Sequence, residues 1–264
     1  MERISISDLT VLVVEPSGVQ SQIIRKSLAE LEVQAEEVVH DAGDALKSMR
    51  TTPPDLVISA MYLPDRTATE MILEMRGDSR LEEVPFMLIS SETAFRALDP
   101  IRQAGVVAIL PKPFRADELR RALHATLDFI EPERDLGGEI ELDDIRVLVV
   151  DDSTTARKHI SRVLQKLGIE QISQAENGRE AVEMIQSNFY DLVVTDFNMP
   201  EMDGEMLTRY IRERSDQRAI PILMVTSEGD DNRLAAVQRA GVSGICDKPF
   251  ETGAVREMIS QMMA

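Results

Sequence analysis

Five side chains in this 264-residue chain have the types and spacing to do chemistry together: the carboxylates of Asp151, Asp152 and Asp196, the hydroxyl of Thr226 and the ammonium of Lys248. Each lies at or just past the end of a short apolar run. "RVLVV" (146–150) leads into Asp151 and Asp152, "DLVVT" (191–195) into Asp196, "PILMV" (221–225) into Thr226 and "SGICD" (243–247) into Lys248. Three carboxylates in one pocket repel each other, and their pKa values rise unless a cation joins them. Hard oxygen donors with open positions suit Mg2+, which keeps several waters and readily takes a phosphate oxygen. A metal, an ammonium and a hydroxyl around one carboxylate are the parts needed to move a phosphoryl group onto it. Positioning and charge neutralisation dominate such a transfer. A solvated acidic rim accounts for any one of these residues, but poorly for all five at strand ends.

Other phosphate chemistry does not fit. No G-x-G-x-x-G follows "VLVVDDS", and no G-x-x-x-x-G-K occurs. A phosphatase using D-x-D after a strand needs an acid where Asn198 stands. His40, His124 and His159 read as surface or boundary residues rather than catalytic ones.

The elements that must position these five residues alternate. After the strand 146–150, "STTARKHISRVLQKLG" (153–168) reads as a helix with Ser153 as N-cap and Gly168 as its stop. Strand 171–175, helix 177–188, strand 191–196, helix 204–214, strand 221–227, helix 230–241, strand 243–247 and helix 251–263 follow. Apolar strands separated by amphipathic helices indicate a parallel sheet covered on both faces. In such sheets ligands bind outside the carboxyl ends of the strands, near the point where the strand order reverses.

The same series occurs twice, at a constant offset of 136 residues. "VLVVEPS" (11–17) falls on "VLVVDDS" (147–153), "DLVIS" (55–59) on "DLVVT" (191–195), "FMLISSE" (86–92) on "ILMVTSE" (222–228), and "KPF" (112–114) on "KPF" (248–250). Two domains are expected, 1–130 and 145–264. Between them "EPERDLGGEIELDD" (131–144) reads as an acidic solvated linker or an arm that docks on one domain.

The formal charge is −18, and the linker, with seven acids and one base, carries a third of it. That balance argues against nonspecific binding to nucleic acid or an anionic membrane. No apolar run approaches a membrane span, and "MERISISDLT" is not a signal peptide, so a cytoplasmic location is expected. Cys246, the single cysteine, lies in an apolar strand and reads as a buried, inert thiol.

"VLVVDDS", "VVTDFNMPEMDG", "PILMVTSE" and "DKPF", in that order, resemble the receiver domain of two-component response regulators, most nearly a single-domain chemotaxis regulator. The resemblance covers about residues 145–264, and more weakly 8–130. It implies two flavodoxin-like (βα)5 domains, each a five-stranded parallel sheet of order 2-1-3-4-5 with helices on both faces. It makes Asp196 the phosphoacceptor and Asp151, Asp152, Asp196 and the backbone carbonyl of Asn198 the Mg2+ ligands. Thr226 and Lys248 would contact the phosphoryl group, and Lys248–Pro249 would be cis. Asn198 and Glu228 also match the chemotaxis regulator, which favours a short-lived phosphoryl group. One departure concerns Ile245, and Ile109 in the first copy, where the family often has an aromatic ring that swings inward.

The first copy has lost most of these groups. Glu15 and Pro16 replace the acid pair, Ala60 the acceptor and Tyr62 the asparagine, while Ser90 and Lys112 remain. Lys112, left without an acceptor, is expected to pair with Glu15. Asp99–Pro100 is expected to start a shortened fourth helix with Asp99 as N-cap. The first copy thus reads as a pseudo-receiver kept for binding; decay to a relic is the plainer alternative.

The resemblance implies a sensor histidine kinase as phosphodonor and a downstream protein target, reached through the fourth and fifth helices and fifth strand. A homodimer is compatible with it. No output or catalytic domain is evident. Three functions compete: a phosphorylation-driven switch in a pathway such as chemotaxis or motility; a phosphorylation-independent adaptor; and a phosphate sink that drains a kinase.

Overall fold

The computed structural model describes residues 4–131, 144–226, 237–250 and 252–263. The chain divides into two compact units, Met1–Glu131 and Pro132–Ala264. The expected linker falls almost wholly outside the described residues, as do Glu228 and most of the expected helix 230–241.

After a 3-10 turn at Ile6–Asp8, the first unit alternates β1 (Val11–Val14), α1 (Gly18–Ala29), β2 (Ala35–Val39), α2 (Ala42–Thr51), β3 (Leu56–Ser59), α3 (Ala68–Gly77), β4 (Phe86–Ser90), α4 (Phe95–Gln103), β5 (Ala108–Pro111) and α5 (Ala116–Ile130). The second has β6 (Arg146–Val150), α6 (Thr154–Lys166), β7 (Gln171–Ala175), α7 (Gly178–Ser187), β8 (Leu192–Asp196), α8 (Gly204–Arg214), β9 (Ile222–Thr226), β10 (Gly244–Asp247) and α9 (Thr252–Met263). Residues 237–240 are helical.

Both sheets are parallel and have the order 2-1-3-4-5: β2-β1-β3-β4-β5 and β7-β6-β8-β9-β10. These are two flavodoxin-like units. The repeat offset survives in the register: Val11 pairs Leu56 as Val147 pairs Leu192. The central strands β1, β3, β4, β8 and β9 are buried at every residue, because helices cover both faces. Edge strand β7 tolerates Gln171, Ser173 and Gln174, which reach solvent. Since all strands run one way, their carboxyl ends share one rim. The order reverses beside the first strand of each unit, so the crevice at β6 and β8 is where a ligand fits.

Short polar residues start the helices. Ser153 accepts from Ala156 N, Asn177 from Arg179 N and Glu180 N, and Asp203 from Met206 N. Gly168 takes a positive φ of 105° just after α6, the stop read from the sequence.

Two expectations fail. Pro100 does not start the fourth helix: α4 begins at Phe95 and carries Pro100 inside it, with Ala94 as N-cap. Leu98, Ile101 and Ala104 are buried on one face. That packing outweighs the one backbone hydrogen bond that proline removes. His159 is not at the surface; it is buried, on a helix whose buried positions include Ala156, Arg157, Ile160 and Ser161. Cys246 is buried, as expected. Among the described residues no helix is long and apolar enough to cross a membrane.

Candidate functional site

The rim of the second unit brings the sequence-selected groups together. Asp151 follows β6, Asp196 ends β8, Thr226 ends β9 and Lys248 follows β10; all four are buried. Lys248 Nζ lies 3.0 Å from Asp151 Oδ2 and 2.8 Å from Asp196 Oδ1. The remaining oxygens take backbone donors: Ser153 N reaches Asp151 Oδ1 at 2.8 Å, and Asn198 N reaches Asp196 Oδ2 at 3.0 Å. Asp152 and the Asn198 side chain stand at the exposed mouth. Both Lys112–Pro113 and Lys248–Pro249 are cis.

The electrostatics follow from burying two carboxylates with one ammonium. Burial is the largest influence on Asp196 and raises it to about 6; Lys248 opposes this, and the Asp151 charge adds to it. Asp151 is raised for the same first reason. Burial works against the Lys248 ammonium, but the two carboxylates outweigh it and hold its pKa above the usual value.

The cluster therefore carries net negative charge before exposed Asp152 is counted, and its donors are hard oxygens. Both features fit a small divalent cation. Among the described residues no three carboxylate, imidazole or thiol side chains form a ready-made cage. Mg2+ asks for none, since it keeps several of its waters.

The first unit has a different pocket. Ala60 is buried where the acceptor would stand, and Glu15 and Ser90 are buried beside it. Lys112 Nζ meets Glu15 Oε2 at 2.8 Å, as expected from the sequence, while Ser17 N holds Glu15 Oε1 at 3.0 Å. Glu15 thus receives the two contacts that Asp151 receives, but among the described residues no second carboxylate pairs with the lysine. Exposed Tyr62, at the position of Asn198, points its hydroxyl toward Glu92 Oε2 at 3.4 Å.

Sequence reasoning missed three supporting features. Gly204 starts α8 against the end of β8: an added Cβ would overlap the Asp196 carbonyl oxygen. Arg212 donates to the carbonyls of Gly241, Arg218 and Ile220, and its repeat partner Arg76 donates to those of Ala104, Gly105, Glu82 and Val84. The constant offset was a signal for this arginine pair. Arg157, 6% exposed, donates to the Asp151 carbonyl at 2.7 Å. Its repeat partner is Ser21, so no repetition marks it.

Two parallel α/β units, one with buried acids and a lysine at the strand ends, define a receiver-type architecture. The pattern of the response regulator receiver domain matches residues 11–124 and again 147–260. The chain belongs to that family, with two receiver domains in tandem. It is 38% identical over 120 residues to the chemotaxis protein CheY1 of Helicobacter pylori, covering 45% of this chain and 97% of that protein. It is 36% identical over 118 residues to the chemotaxis protein CheY of Pseudomonas aeruginosa, covering 45% and 95%. A solved structure of the chemotaxis protein CheY4 of Vibrio cholerae has 31% identity and a TM-score of 0.42, covering 45% of this chain and 98% of that one.

Proposed function

We propose that the second unit is the phosphorylatable receiver of a two-component system, with Asp196 as acceptor and a histidine kinase as phosphodonor. The observation that carries this reading is Lys248, shared between Asp151 and Asp196 in a buried pocket. A carboxylate oxygen of Asp196 attacks phosphorus in line. A P–O bond forms, the P–N bond to the donor imidazole breaks, and the bond electrons remain on that nitrogen. Lys248 leaves the bare carboxylate and pairs with the incoming phosphoryl oxygens. The Asn198 N–H orients the acceptor, and the Thr226 hydroxyl closes the far side of the pocket. Asp151, Asp152, Asp196 and the Asn198 carbonyl would hold Mg2+, which supplies charge neutralisation when bound.

The first unit serves as a pseudo-receiver. Ala60 leaves no nucleophile at the matching position, and one acid in place of three offers little to a cation. The Glu15–Lys112 pair holds the pocket in one arrangement. The division of labour is reception by the second unit and partner binding by the first. The output is protein–protein contact in the cytoplasm. The names of the two curated relatives favour a motility pathway. An adaptor indifferent to phosphorylation and a phosphate sink are the competing readings.

Intact mass after incubation with acetyl phosphate and Mg2+ tests this. One phosphoryl group, lost in Asp196→Ala, is expected. No phosphoryl group on folded protein with Mg2+ present would move the reading to the adaptor. Two groups would mean that the first unit is also a receiver.

A further inference from the structure

Asp151 is held at four points. Its N–H donates to the Ala175 carbonyl at 3.2 Å, its two carboxylate oxygens meet Ser153 N and Lys248, and its own carbonyl accepts from Arg157 Nη1 at 2.7 Å. Arg157 is braced in turn. Its Nη2 donates to Thr154 Oγ1 at 3.2 Å and to Glu176 Oε1 at 3.0 Å. One guanidinium thus ties the end of β6, the start of α6 and the loop after β7 into a single frame. The backbone of Glu176 is held, its N–H donating to Glu180 Oε2 at 2.7 Å, while its side chain reaches Arg157 from an exposed position.

The first unit holds the same carbonyl by another route. His40 Nδ1 lies 2.9 Å from the Glu15 carbonyl oxygen, and the Glu15 N–H donates to Val39 O at 3.0 Å. His40 is the repeat partner of Glu176, and Ser21 that of Arg157. Two different side chains, from different elements, reach one equivalent atom. The charge in the two pockets differs as well. The first pocket pairs one acid with one lysine and needs no fixed cation. The second places Asp151 and Asp196 on Lys248, with the charge of Asp152 felt by both acids, and Arg157 tethers the Asp151 carbonyl.

Building on the reading of the second unit as the acceptor site, we propose that Arg157 is a positioning residue that sets the site's affinity for Mg2+ by anchoring the Asp151–Asp152 loop through the Asp151 carbonyl. Groups that orient ligating side chains commonly change metal affinity by about 10-fold or more when removed. Lysine keeps the charge but cannot span a carbonyl, a hydroxyl and a carboxylate at once. The pair Arg157→Ser with Glu176→His rebuilds the tether of the first unit without the charge.

The test is calorimetric titration of Mg2+ into the full chain, with acetyl phosphate labelling and thermal unfolding measured on the same samples. Arg157→Ser is expected to weaken Mg2+ by about 10-fold and Arg157→Lys by several-fold. The Ser/His pair is expected to recover most of the loss. Wild-type affinity in Arg157→Lys would overturn the tether and leave only a charge effect; this variant decides if Arg157→Ser does not fold. A lowered melting temperature with unchanged Mg2+ affinity would reduce Arg157 to a structural role. A phosphorylated wild type with unchanged affinity in both single variants sinks the positioning role alone. A wild type that binds Mg2+ with the expected pattern, yet takes no phosphoryl group, sinks the acceptor reading alone. A wild type that binds no Mg2+ overturns the positioning role outright.

Discussion

Among the described residues Lys112 Nζ meets one carboxylate, Glu15, at 2.8 Å, whereas Lys248 Nζ, the same position of the repeat, is divided between Asp151 at 3.0 Å and Asp196 at 2.8 Å. One pocket is balanced in charge; the other has a carboxylate to spare. On the reading proposed above, that difference would let the second pocket take a cation and leave the first with its one acid already paired.

The spare carboxylate has a pH signature. Asp196 lies at about 6 in the folded unit against 3.8 for an ordinary aspartate, so the folded state binds this proton more tightly. The group costs nothing below about pH 4, costs more as pH rises to about 6, and imposes its full penalty above that. In Mg2+-free buffer, Asp196→Asn is therefore expected to be more stable than the wild type at pH 7, on the order of 2 kcal/mol, with the advantage gone near pH 4. Urea midpoints across that range decide it; an advantage that grows on acidification would contradict the assignment.

Mg2+ should remove that penalty. Ten times its dissociation constant corresponds to about 1.4 kcal/mol of stabilisation. The rise is expected in the melting of the second unit and is expected to vanish in Asp151→Asn. A rise that survives this substitution would place the cation elsewhere.

The pair in the first unit is expected to behave as a buried ion pair at a partly open edge. Lys112→Met strands the buried Glu15 carboxylate and should cost about 2–4 kcal/mol. Adding Glu15→Gln should restore most of that. Labelling of Asp196 should not change in either variant. A double variant as unstable as the single would mean that the two side chains do not act as a pair.

Returning the acceptor alone should not revive the first unit. In an Asp196→Ala background, Ala60→Asp is expected to take no phosphoryl group. Lys112 is held by Glu15, and Pro16 supplies no second acid. A phosphoryl adduct on this chain, read by intact mass, would show that the missing nucleophile was the only defect.

Much of this is legible in the sequence alone. Apolar runs marked the strands, the 136-residue offset marked two units, and Ser153 and Gly168 marked the ends of α6. Pro100 was misread because its local preference for a first turn is weaker than the burial of Leu98 and Ile101. His159 was misread because helix periodicity reports one apolar face, whereas α6 buries polar positions as well. Arg157 was invisible because an arginine that caps a carbonyl leaves no pattern in composition or spacing.

The sequence by itself determined which groups reach the rim, because side-chain type is local and apolar periodicity dictates where each strand ends. It also determined that Ala60 stands in one copy where Asp196 stands in the other. Only the tertiary structure decided which oxygen each lysine meets, which acids are buried and which stay at the mouth. The physical reason is distance along the chain: Lys112–Glu15 and Lys248–Asp151 each join residues 97 positions apart, and burial and field at such a contact exist only once the sheet has closed around it.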